Sequence, residues 1–415
     1  MQITKGFKYR LYPNKEQSLK LSHQCFIYNQ AYNICLNLQQ EQWLKNKELD
    51  KKERTYLSAT QIDNQVKLAL KARNLEFKSV VAQQARINAN RALEQAIKDK
   101  NKGFPKFKNS KLAKQSFNWN NQGYQILEFN DKFKIFRLMS MPIKMRYHRA
   151  LPNNYKLNQI TISKTHNKYF VSFSITYDEP SVVLMSSNKI DINRAVGIDM
   201  NINEIALSNG ALLLTCSKSI NKAKYSTTFK RLMRKQSKRV LKAKKDKIKL
   251  GSNFRKTQIR LNKIYERASN IKKDLAHKIS NQIVKNFDLI VVENLKVKNM
   301  TKRAKLKNVK AKSGLNKSIL DTSFYQFLSF VEYKAMHNGK VFTKIEPQYT
   351  SKACCKCGTI KENLTLKDRV FTCDNCGYVE HRDINASKNI LDRGLKSFGL
   401  GTSLLDYKQE ALRVS

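Results

Sequence analysis

The chain has 415 residues, enough to bury a sizeable core and to form two to four domains. Its 80 Lys and Arg residues outnumber its 32 Asp and Glu residues, which gives a formal net charge of +48. A charge of this size repels itself unless a polyanion neutralises it, so nucleic acid is the expected partner. A membrane surface is disfavoured, because the charge is spread along the whole sequence and no apolar run approaches the roughly 18 residues of a spanning helix.

The N-terminus and the cysteines together indicate a compartment. Residues 1–5 lack the apolar core of a signal peptide. Four of the eight cysteines are spaced for metal binding, which suits a reducing cytosol better than a disulfide framework does. We therefore expect a cytoplasmic protein with no membrane partner.

The first hundred residues combine one strand with a helical region. Residues 7–12 alternate with the period of a strand, which Pro13 ends. Asn14 is placed to cap a helix, and apolar residues then recur at helical spacing over 19–43. After a charged connection at 44–60, a second helical region follows.

The clearest part of that second region is residues 79–98, where small apolar side chains form a narrow stripe and amides occupy other faces. Two interpretations remain open for the amides: a wet side of a packed helix, or contacts to base edges and phosphates. The loop Gly103-Phe104-Pro105-Lys106-Phe107-Lys108 interleaves rings with cations. That pattern suits stacking on bases with phosphate contact, or apolar residues that pin the loop to the protein.

Residues 115–177 contain short β-branched and aromatic segments separated by Gly, Asn and Pro. They predict an antiparallel β module, which we expect to be a barrel. The early strand at 7–13 has no nearby partner, so we expect it to join this barrel, with helices inserted over residues 15–100.

The second half predicts a mixed sheet with flanking helices. After a polar linker at 178–194, the expected elements follow in chain order. They are strands at 195–201, 204–210 and 212–214, a basic helical hairpin at 218–286, a strand at 287–295, a Lys-rich loop at 296–313, a helix at 323–338, a strand at 340–345 and a closing helix from about Asp383. The cations of the hairpin either form a solvated face or contact phosphates, and their single sign favours nucleic acid.

Four cysteines form two Cys-x-x-Cys pairs separated by 15 residues: Cys354, Cys357, Cys373 and Cys376. This spacing predicts a zinc ribbon with four thiolate ligands, although four ordinary buried thiols are the alternative. Gly358 and Gly377 follow the two pairs and allow a tight turn beneath the metal. Cys355 is not expected to be a ligand, because a neighbouring residue points elsewhere.

Three acidic residues occupy positions that need a functional explanation. Asp199 lies within a buried strand, Glu293 ends a central strand, and Asp383 opens the closing helix. We expect a mixed sheet to bring them to one edge, where divalent cations would relieve their mutual repulsion. Two Mg²⁺ or Mn²⁺ ions about 3.5–4 Å apart would support phosphodiester hydrolysis there.

The strings around these acids resemble the three motifs of a RuvC nuclease domain, and the cysteine module lies between the second and third. The strings are Gly197-Ile198-Asp199, Val291-Val292-Glu293-Asn294-Leu295 and Arg382-Asp383-Ile384-Asn385-Ala386. The arrangement is similar to the TnpB proteins of bacterial insertion sequences and to compact type V CRISPR effectors. Residues 9–14, 103–108 and 347–351 extend the resemblance over nearly the whole chain.

The resemblance implies a multidomain α/β protein. Its expected parts are a wedge β-barrel at 1–14 and 115–180, a helical recognition insert at 15–114, an RNase H-like (RuvC) nuclease domain at 191–346 and 378–395, a zinc ribbon at 347–377 and a tail at 396–415.

The resemblance also implies an RNA-guided DNA endonuclease that holds a transposon-derived guide RNA and cleaves double-stranded target DNA beside a short flanking motif. Matching positions suggest that Ser79, Gln83, Asn118 and Asn120 line the flanking duplex. The sequence departs from relatives at His381, Asn201, Asn203 and Phe324, none of which is a carboxylate of the expected metal site.

Other functions fit parts of the same pattern. A catalytically silent guided DNA-binding regulator would be free to lose the three acids, yet all three are present. A transposase could use the same fold, although the ribbon before the third acid favours guided cleavage. A basic RNA-binding protein with structural acids is the least specific alternative.

Overall fold

The structure is a computed structural model that describes residues 2–50, 52–99, 103–109, 115–165, 167–179, 190–215, 226–303, 308–365 and 368–399. The chain divides into two compact units, Met1–Ser181 and Val182–Ser415. Most of the predicted linker at 178–194 and of the predicted tail at 396–415 lies outside the described residues. Among the helices that are described, none has the length and apolar character needed to cross a membrane.

The first unit contains one seven-stranded antiparallel sheet with the order β2-β6-β7-β1-β5-β4-β3. Its strands are β1 Gln2–Tyr12, β2 Ser116–Trp119, β3 Tyr124–Asn130, β4 Phe133–Leu138, β5 Met141–Arg146, β6 Lys156–Thr165 and β7 Lys168–Asp178. β1 pairs with β7 over ten residues and with β5 at its end, so the N-terminal strand joins the later strands as expected.

The predicted closed barrel is wrong, because the edge strands β2 and β3 do not pair with each other in the described part of the chain. In a flat sheet, six spacings of about 4.8 Å would separate those edges by about 29 Å. Trp119 ends β2 and Tyr124 begins β3, and five residues span at most about 18 Å. The sheet therefore curls until its edges approach. It stays open: in the described part of the chain, the four residues of β2 pair with β6 and not with β3.

Three helices of the first unit lie between β1 and β2 in sequence: α1 Lys15–Lys47, α2 Ala59–Ala72 and α3 Ser79–Lys98. Asn14 and Ser58 cap the first two with capping boxes, which explains where these helices begin. The small stripe of α3, including Val81, Ala85 and Ala89, is buried against α1. Small side chains at this contact let the two helix axes approach closely.

The second unit is built on a five-stranded sheet with the order β10-β9-β8-β11-β12. Its elements are β8 Ala195–Met200, β9 Glu204–Leu207, β10 Leu212–Leu214, α4 Thr227–Lys245, α5 Ser252–Asn286, β11 Leu289–Glu293, α6 Val297–Met300, α7 Val309–Thr322, α8 Phe324–His337, β12 Val341–Ile345, β13 Val370–Thr372, β14 Val379–His381 and α9 Arg382–Ser397. The parallel strands β8, β11 and β12 form the centre, and β9 and β10 continue it as an antiparallel meander.

The predicted loop at 296–313 is wrong at both ends, because α6 and the first residues of α7 are helical. Lys is a good helix former, so a Lys-rich stretch does not by itself predict a loop. The Lys312 Nζ donates to the Met300 carbonyl at 2.7 Å, which ties the two helices together.

A charge cluster fixes the register of the three parallel strands at their N-terminal ends. Asp288 precedes β11 and is largely buried, and its carboxylate pairs with Arg194 before β8 and with Lys340 before β12. Burial alone would raise the pKa of Asp288, but the hydrogen bonds from Arg194 and Lys340 lower it below its usual value. Breaking one partner of such a cluster leaves a buried charge unpaired.

Two glycines allow α9 to lie directly on the central strands. A Cβ at Gly197 in β8 would stand 2.1 Å from the Ser387 carbonyl oxygen and 2.6 Å from the Leu391 backbone nitrogen. A Cβ at Gly394 in α9 would stand 2.3 Å from a methyl carbon of Val291 in β11. The helix backbone therefore touches the sheet with no room for a side chain.

We predict that Gly197→Ala displaces α9 and destabilises its packing by at least about 2 kcal/mol, because helix backbone cannot move aside as a side-chain tip can. Hydrogen exchange at the amides of residues 382–397 should become faster. Trp43 and Trp119 are the chain's two tryptophans, and their fluorescence should not change because both lie in the first unit.

The matched control is Gly314→Ala in α7, where an added Cβ meets nothing within 4 Å. This change should stabilise the helix by about 0.5–1 kcal/mol. Unchanged exchange in α9 of the Gly197→Ala protein would contradict the close contact.

Candidate functional site

Four sulfur atoms meet in the module between β12 and α9. The Sγ atoms of Cys354, Cys357, Cys373 and Cys376 all lie within 4.8 Å of one another. The Cys354–Cys376 pair is 3.7 Å apart and the Cys357–Cys373 pair is 3.5 Å apart. Tetrahedral zinc with Zn–S bonds of about 2.3 Å requires sulfur separations near 3.8 Å. The donor set and its spacing therefore fit one zinc ion.

The two cysteine pairs have the same backbone geometry, which explains why Gly follows each. Gly358 has φ 75° and its N–H donates to the Cys354 carbonyl, while Gly377 has φ 68° and donates to the Cys373 carbonyl. A positive φ of this kind favours glycine over residues with a Cβ. Cys355 is half-buried and lies outside the four-sulfur group.

The three singled-out carboxylates come from elements that meet at one edge of the sheet. β8 and β11 are adjacent and parallel, with Ile198 opposite Val292, so Asp199 and Glu293 follow at the same edge. Asp383 lies in the first turn of α9, one helical turn before Ser387, whose carbonyl faces Gly197. The close contact between helix and sheet thus brings the third acid towards the first.

Asp199 carries the electrostatic signature of this convergence. Its pKa is raised to about 8, first by burial and in addition by the negative charges of Glu293 and Asp383. The Asn201 side chain donates to the Asp199 Oδ2 at 3.2 Å. The carboxylate is therefore protonated more readily than an ordinary Asp unless a cation displaces the proton.

Glu293 and Asp383 are held by different neighbours. Glu293 is half-buried and its Oε1 accepts a hydrogen bond of 2.5 Å from the Thr350 hydroxyl. Burial raises the pKa of Glu293, whereas the Thr350 hydrogen bond and the Arg393 charge oppose the rise. The backbone N–H of Asp383 donates to the His381 Nδ1 at 3.3 Å, so His381 serves as the N-cap of α9.

The carboxylates are more loosely grouped than the thiols. Among the described residues, only the four cysteines form a group of three or more His, Cys, Asp or Glu side chains whose ligand atoms all lie within 4.8 Å of one another. Carboxylates that bridge two cations need not be mutually this close, because each oxygen can reach a different ion. The donor chemistry fits hard divalent cations such as Mg²⁺ or Mn²⁺.

Sequence reasoning missed two contacts of this site. In the sequence, Thr350 stands out only within the string 347–351 that resembles the family, and Asn201 only as a departure from relatives, yet the side chain of each donates to one of the three carboxylates. The position of Asn201, two residues after Asp199 at the end of a buried strand, was a usable signal. Nothing in the spacing of Thr350, 57 residues from Glu293, indicated contact.

The basic helical hairpin is present within its described part. α4 and α5 pack against each other, with the Phe229 and Tyr265 rings in edge contact 5.5 Å apart. Most cations of α4 are exposed, among them Arg231, Arg234 and Lys238. This face offers phosphates a dense row of positive charge.

The four flanking-motif candidates lie on neighbouring elements of the first unit. Ser79 and Gln83 are exposed on α3, and Asn118 and Asn120 lie on and just after β2, against which α3 packs. The Thr161 hydroxyl donates to the Asn118 Oδ1 at 3.4 Å. All four side chains retain access to solvent.

The loop at 103–108 is pinned by its cation rather than by its rings. Lys108 exchanges two backbone hydrogen bonds with the Asn33 side chain, and its ammonium lies 4.2 Å from the Tyr28 ring and 4.0 Å from the Tyr32 ring. Burial lowers the pKa of Lys108 to about 8. Phe104 and Phe107 are 45% and 50% exposed, which leaves both rings free to stack on bases.

Comparison with known protein families gives three matches. Residues 172–304 match a family described as a probable transposase, and residues 324–390 match the Cas12f1-like TNB domain. Residues 1–48 match a family described as a helix-turn-helix domain, although this range holds β1 and one continuous helix, α1.

Several curated proteins and solved structures are similar to the chain. The putative RNA-guided DNA endonuclease InsQ of Escherichia coli is 31% identical over 314 residues, covering 73% of this chain and 72% of that protein. A putative RNA-guided DNA endonuclease of Streptomyces pristinaespiralis is 26% identical over 99% of this chain and 94% of its own length. The cryo-EM structure of the Cas12f1-sgRNA-target DNA complex matches with a TM-score of 0.55 at 15% identity, over 95% of this chain and 99% of that chain, which is a likeness of fold.

We predict a pH-dependent stability that Asp199 causes. Because its pKa is raised to about 8, the native chain retains a proton that the unfolded chain loses above about pH 4. Without magnesium, stability should fall as pH rises from about 4 towards 8. Asp199→Asn should remove this loss and raise the melting temperature at pH 8, by about 2–4 °C for each kcal/mol regained.

Thermal unfolding of the two proteins in magnesium-free buffer at pH 5 and pH 8 measures the difference. The melting temperatures should be close at pH 5 and separate at pH 8. A difference of equal size at both pH values would contradict a raised pKa at Asp199.

Proposed function

Since this chain belongs to the TnpB family of putative RNA-guided DNA endonucleases, we propose that it cleaves guide-matched DNA at the sheet edge where Asp199, Glu293 and Asp383 converge. The observation that carries the proposal is geometric: the paired parallel strands β8 and β11 bring Asp199 and Glu293 to one sheet edge, and α9, which begins with Asp383 in its first turn, lies directly on β8 at Gly197. The raised pKa of Asp199, to which burial and the charges of the other two acids contribute, agrees with it. Distant parts of the sequence supply these acids, and the meeting of β8, β11 and the start of α9 at one sheet edge supports their convergence.

The chemistry follows from the donor set. The three carboxylates would hold two Mg²⁺ or Mn²⁺ ions, which when bound supply an activated water and stabilise the leaving oxygen of a phosphodiester. Asp199 must give up its proton before it can bind a cation, so its Asn201 hydrogen bond, which favours the ionised form, assists. Asp383 at the N-terminus of α9 has its negative charge favoured by the helix dipole.

The partners of the proposed nuclease are a transposon-derived guide RNA and double-stranded target DNA. We assign the wedge to 1–14 and 115–180, the recognition insert to 15–114, and the RuvC-like domain to 191–346 and 378–395. The exposed cations of α4 would contact phosphates. Such contacts bind nucleic acid without reading its sequence. Base pairing with the guide would select the target.

The flanking motif would be read by the first unit. Ser79, Gln83, Asn118 and Asn120 offer hydroxyl and amide groups on packed neighbouring elements, and amides pair well with base edges. Their mixture of donors and acceptors is the chemistry that sequence reading requires.

We assign residues 347–377 to a zinc ribbon held by Cys354, Cys357, Cys373 and Cys376. The separations of the sulfur atoms support this assignment. Zinc bound by four thiolates has no open position, so its contribution would be structural. The module is too small to bury a large hydrophobic core, and bound zinc would stabilise its fold instead.

Transposition is the second candidate, because residues 172–304 match a family described as a probable transposase. Strand transfer would use the same carboxylates, with a DNA 3′-hydroxyl in place of water. Incubation with labelled transposon ends and a target plasmid distinguishes the two. Joined products would favour transposition, whereas guide-dependent cuts without joining favour the endonuclease.

We predict that Asp199→Ala, Glu293→Ala and Asp383→Ala each lower guide-dependent DNA cleavage at least 1,000-fold and leave guide and target binding intact, because each removes a proposed cation ligand.

The assay first requires the guide, which is identified by sequencing the RNA that copurifies with the protein. Cleavage is then measured on a plasmid library that carries the guide-matched target beside a randomised flanking sequence. Asp274→Ala is the control, since Asp274 is a surface acid paired with Lys278. Full cleavage by the Asp199→Ala protein would overturn the site assignment.

We also predict one zinc ion per chain, retained in Cys355→Ser and lost or greatly weakened in Cys373→Ser. The reason is that Cys373 belongs to the four-sulfur group and Cys355 does not. Native mass spectrometry of both proteins, purified in parallel, measures the metal content. Loss of zinc from the Cys355→Ser protein alone would show that the ligand set is different.

A further inference from the structure

We propose that Thr350, Asn385 and Asn389 are positioning residues that couple the four-cysteine module to the carboxylates, so that metal in the module sets the geometry of Glu293. This inference rests on the proposed nuclease function. It concerns residues that bind no metal themselves and adds a role for the module beyond local stability.

The first contact lies between Thr350 and Glu293. The Thr350 hydroxyl donates to the Oε1 of Glu293 at 2.5 Å, and Thr350 is only 3% exposed. A hydrogen bond to a charged group is among the stronger ones. It occupies one carboxylate oxygen and restricts the rotation of the group, and Oε2 would then be available to a cation.

The second set of contacts attaches Thr350 to α9. The Asn389 amide donates to the Thr350 carbonyl at 2.9 Å and to the Ala353 carbonyl at 2.7 Å. Asn389 lies four residues after Asn385, so the two side chains share one face of the helix. Asp383 lies in the first turn of the same helix, two residues before Asn385.

The third set reaches the first cysteine pair. The Asn385 Nδ2 donates to the Ala353 carbonyl at 2.7 Å, and its Oδ1 accepts from the Cys355 N–H at 2.9 Å. These partners flank Cys354, a member of the four-sulfur group that is 1% exposed. Asn385 is fully buried, so its amide has no solvent to replace these bonds.

The contacts form one continuous connection from the cysteines to the sheet edge. Metal bound to the four thiolates would fix the backbone at residues 353–355, and the two Asn side chains would transmit that position to α9 and Thr350. Loss of metal would release the same backbone and with it the hydroxyl that orients Glu293. Asn is suited to this task because it donates and accepts at once, whereas Asp would set an acceptor against the Ala353 carbonyl.

The test compares Thr350→Val, which keeps the shape and removes the hydroxyl, with Thr350→Ser, which keeps the hydroxyl. Thr350→Val should lower kcat for guided cleavage about 10- to 100-fold, the effect of one hydrogen bond to a charged group. It should also raise the Mn²⁺ concentration needed for half-maximal rate, while target affinity and zinc content stay unchanged. Thr350→Ser should restore most of the rate, and Thr372→Val, at an exposed position of β13, should have none of these effects.

If the Thr350→Val protein cleaves at the wild-type rate while the Asp199→Ala protein is inactive, the coupling is overturned and the proposed function stands. If wild-type protein does not cleave at all, hydrogen exchange still decides the coupling. Zinc removal should speed exchange at residues 347–355 and 382–390, and Asn389→Leu should produce the same change with zinc retained. If hydrogen exchange at residues 382–390 is the same after zinc removal and in the Asn389→Leu protein as in the untreated wild type, the coupling is overturned independently of activity.

Discussion

The second unit depends on the contact between the α9 backbone and the strands β8 and β11. Gly197 and Gly394 remove the two side chains that would otherwise separate helix and sheet, so α9 lies directly on β8 at Ser387 and Leu391 and on β11 at Gly394. Asp383 is carried to the sheet edge by this helix, and the cysteine module is attached through Asn385 and Asn389 of the same helix. One packing constraint therefore positions the third acid and the four-cysteine module together.

The opposite end of the sheet is fixed by charge rather than by packing. Asp288 pairs with Arg194 and Lys340 at the start of the three parallel strands, and this cluster holds their register. Register matters at the far edge, because a slip of one residue would turn Asp199 or Glu293 to the other face of the sheet. Within the described residues, the three acids at the carboxyl edge form no salt bridge with Lys or Arg. Burial and the repulsion from the other two acids therefore raise the pKa of Asp199.

Much of this arrangement could be predicted from the sequence because its signals are local. Short patterns predict the strand that contains Asp199, the strand that ends at Glu293, the helix that opens near Asp383 and the four-cysteine spacing, and the structure has the corresponding strands, helix and sulfur group. Barrel closure failed as a prediction, because pairing between the two edge strands is a long-range property that strand-like segments do not encode. Thr350 escaped notice for a similar reason: its contact with Glu293 exists only once the module packs on α9.

The central claim is that Asp199, Glu293 and Asp383 share a pair of divalent cations. Anomalous diffraction from crystals of the guide-bound protein soaked in Mn²⁺ tests it most directly. We expect two manganese peaks about 3.5–4 Å apart at the sheet edge, with oxygen atoms of all three acids as ligands. Manganese bound elsewhere, or no peak at these carboxylates while the cysteine module holds its zinc, would contradict it.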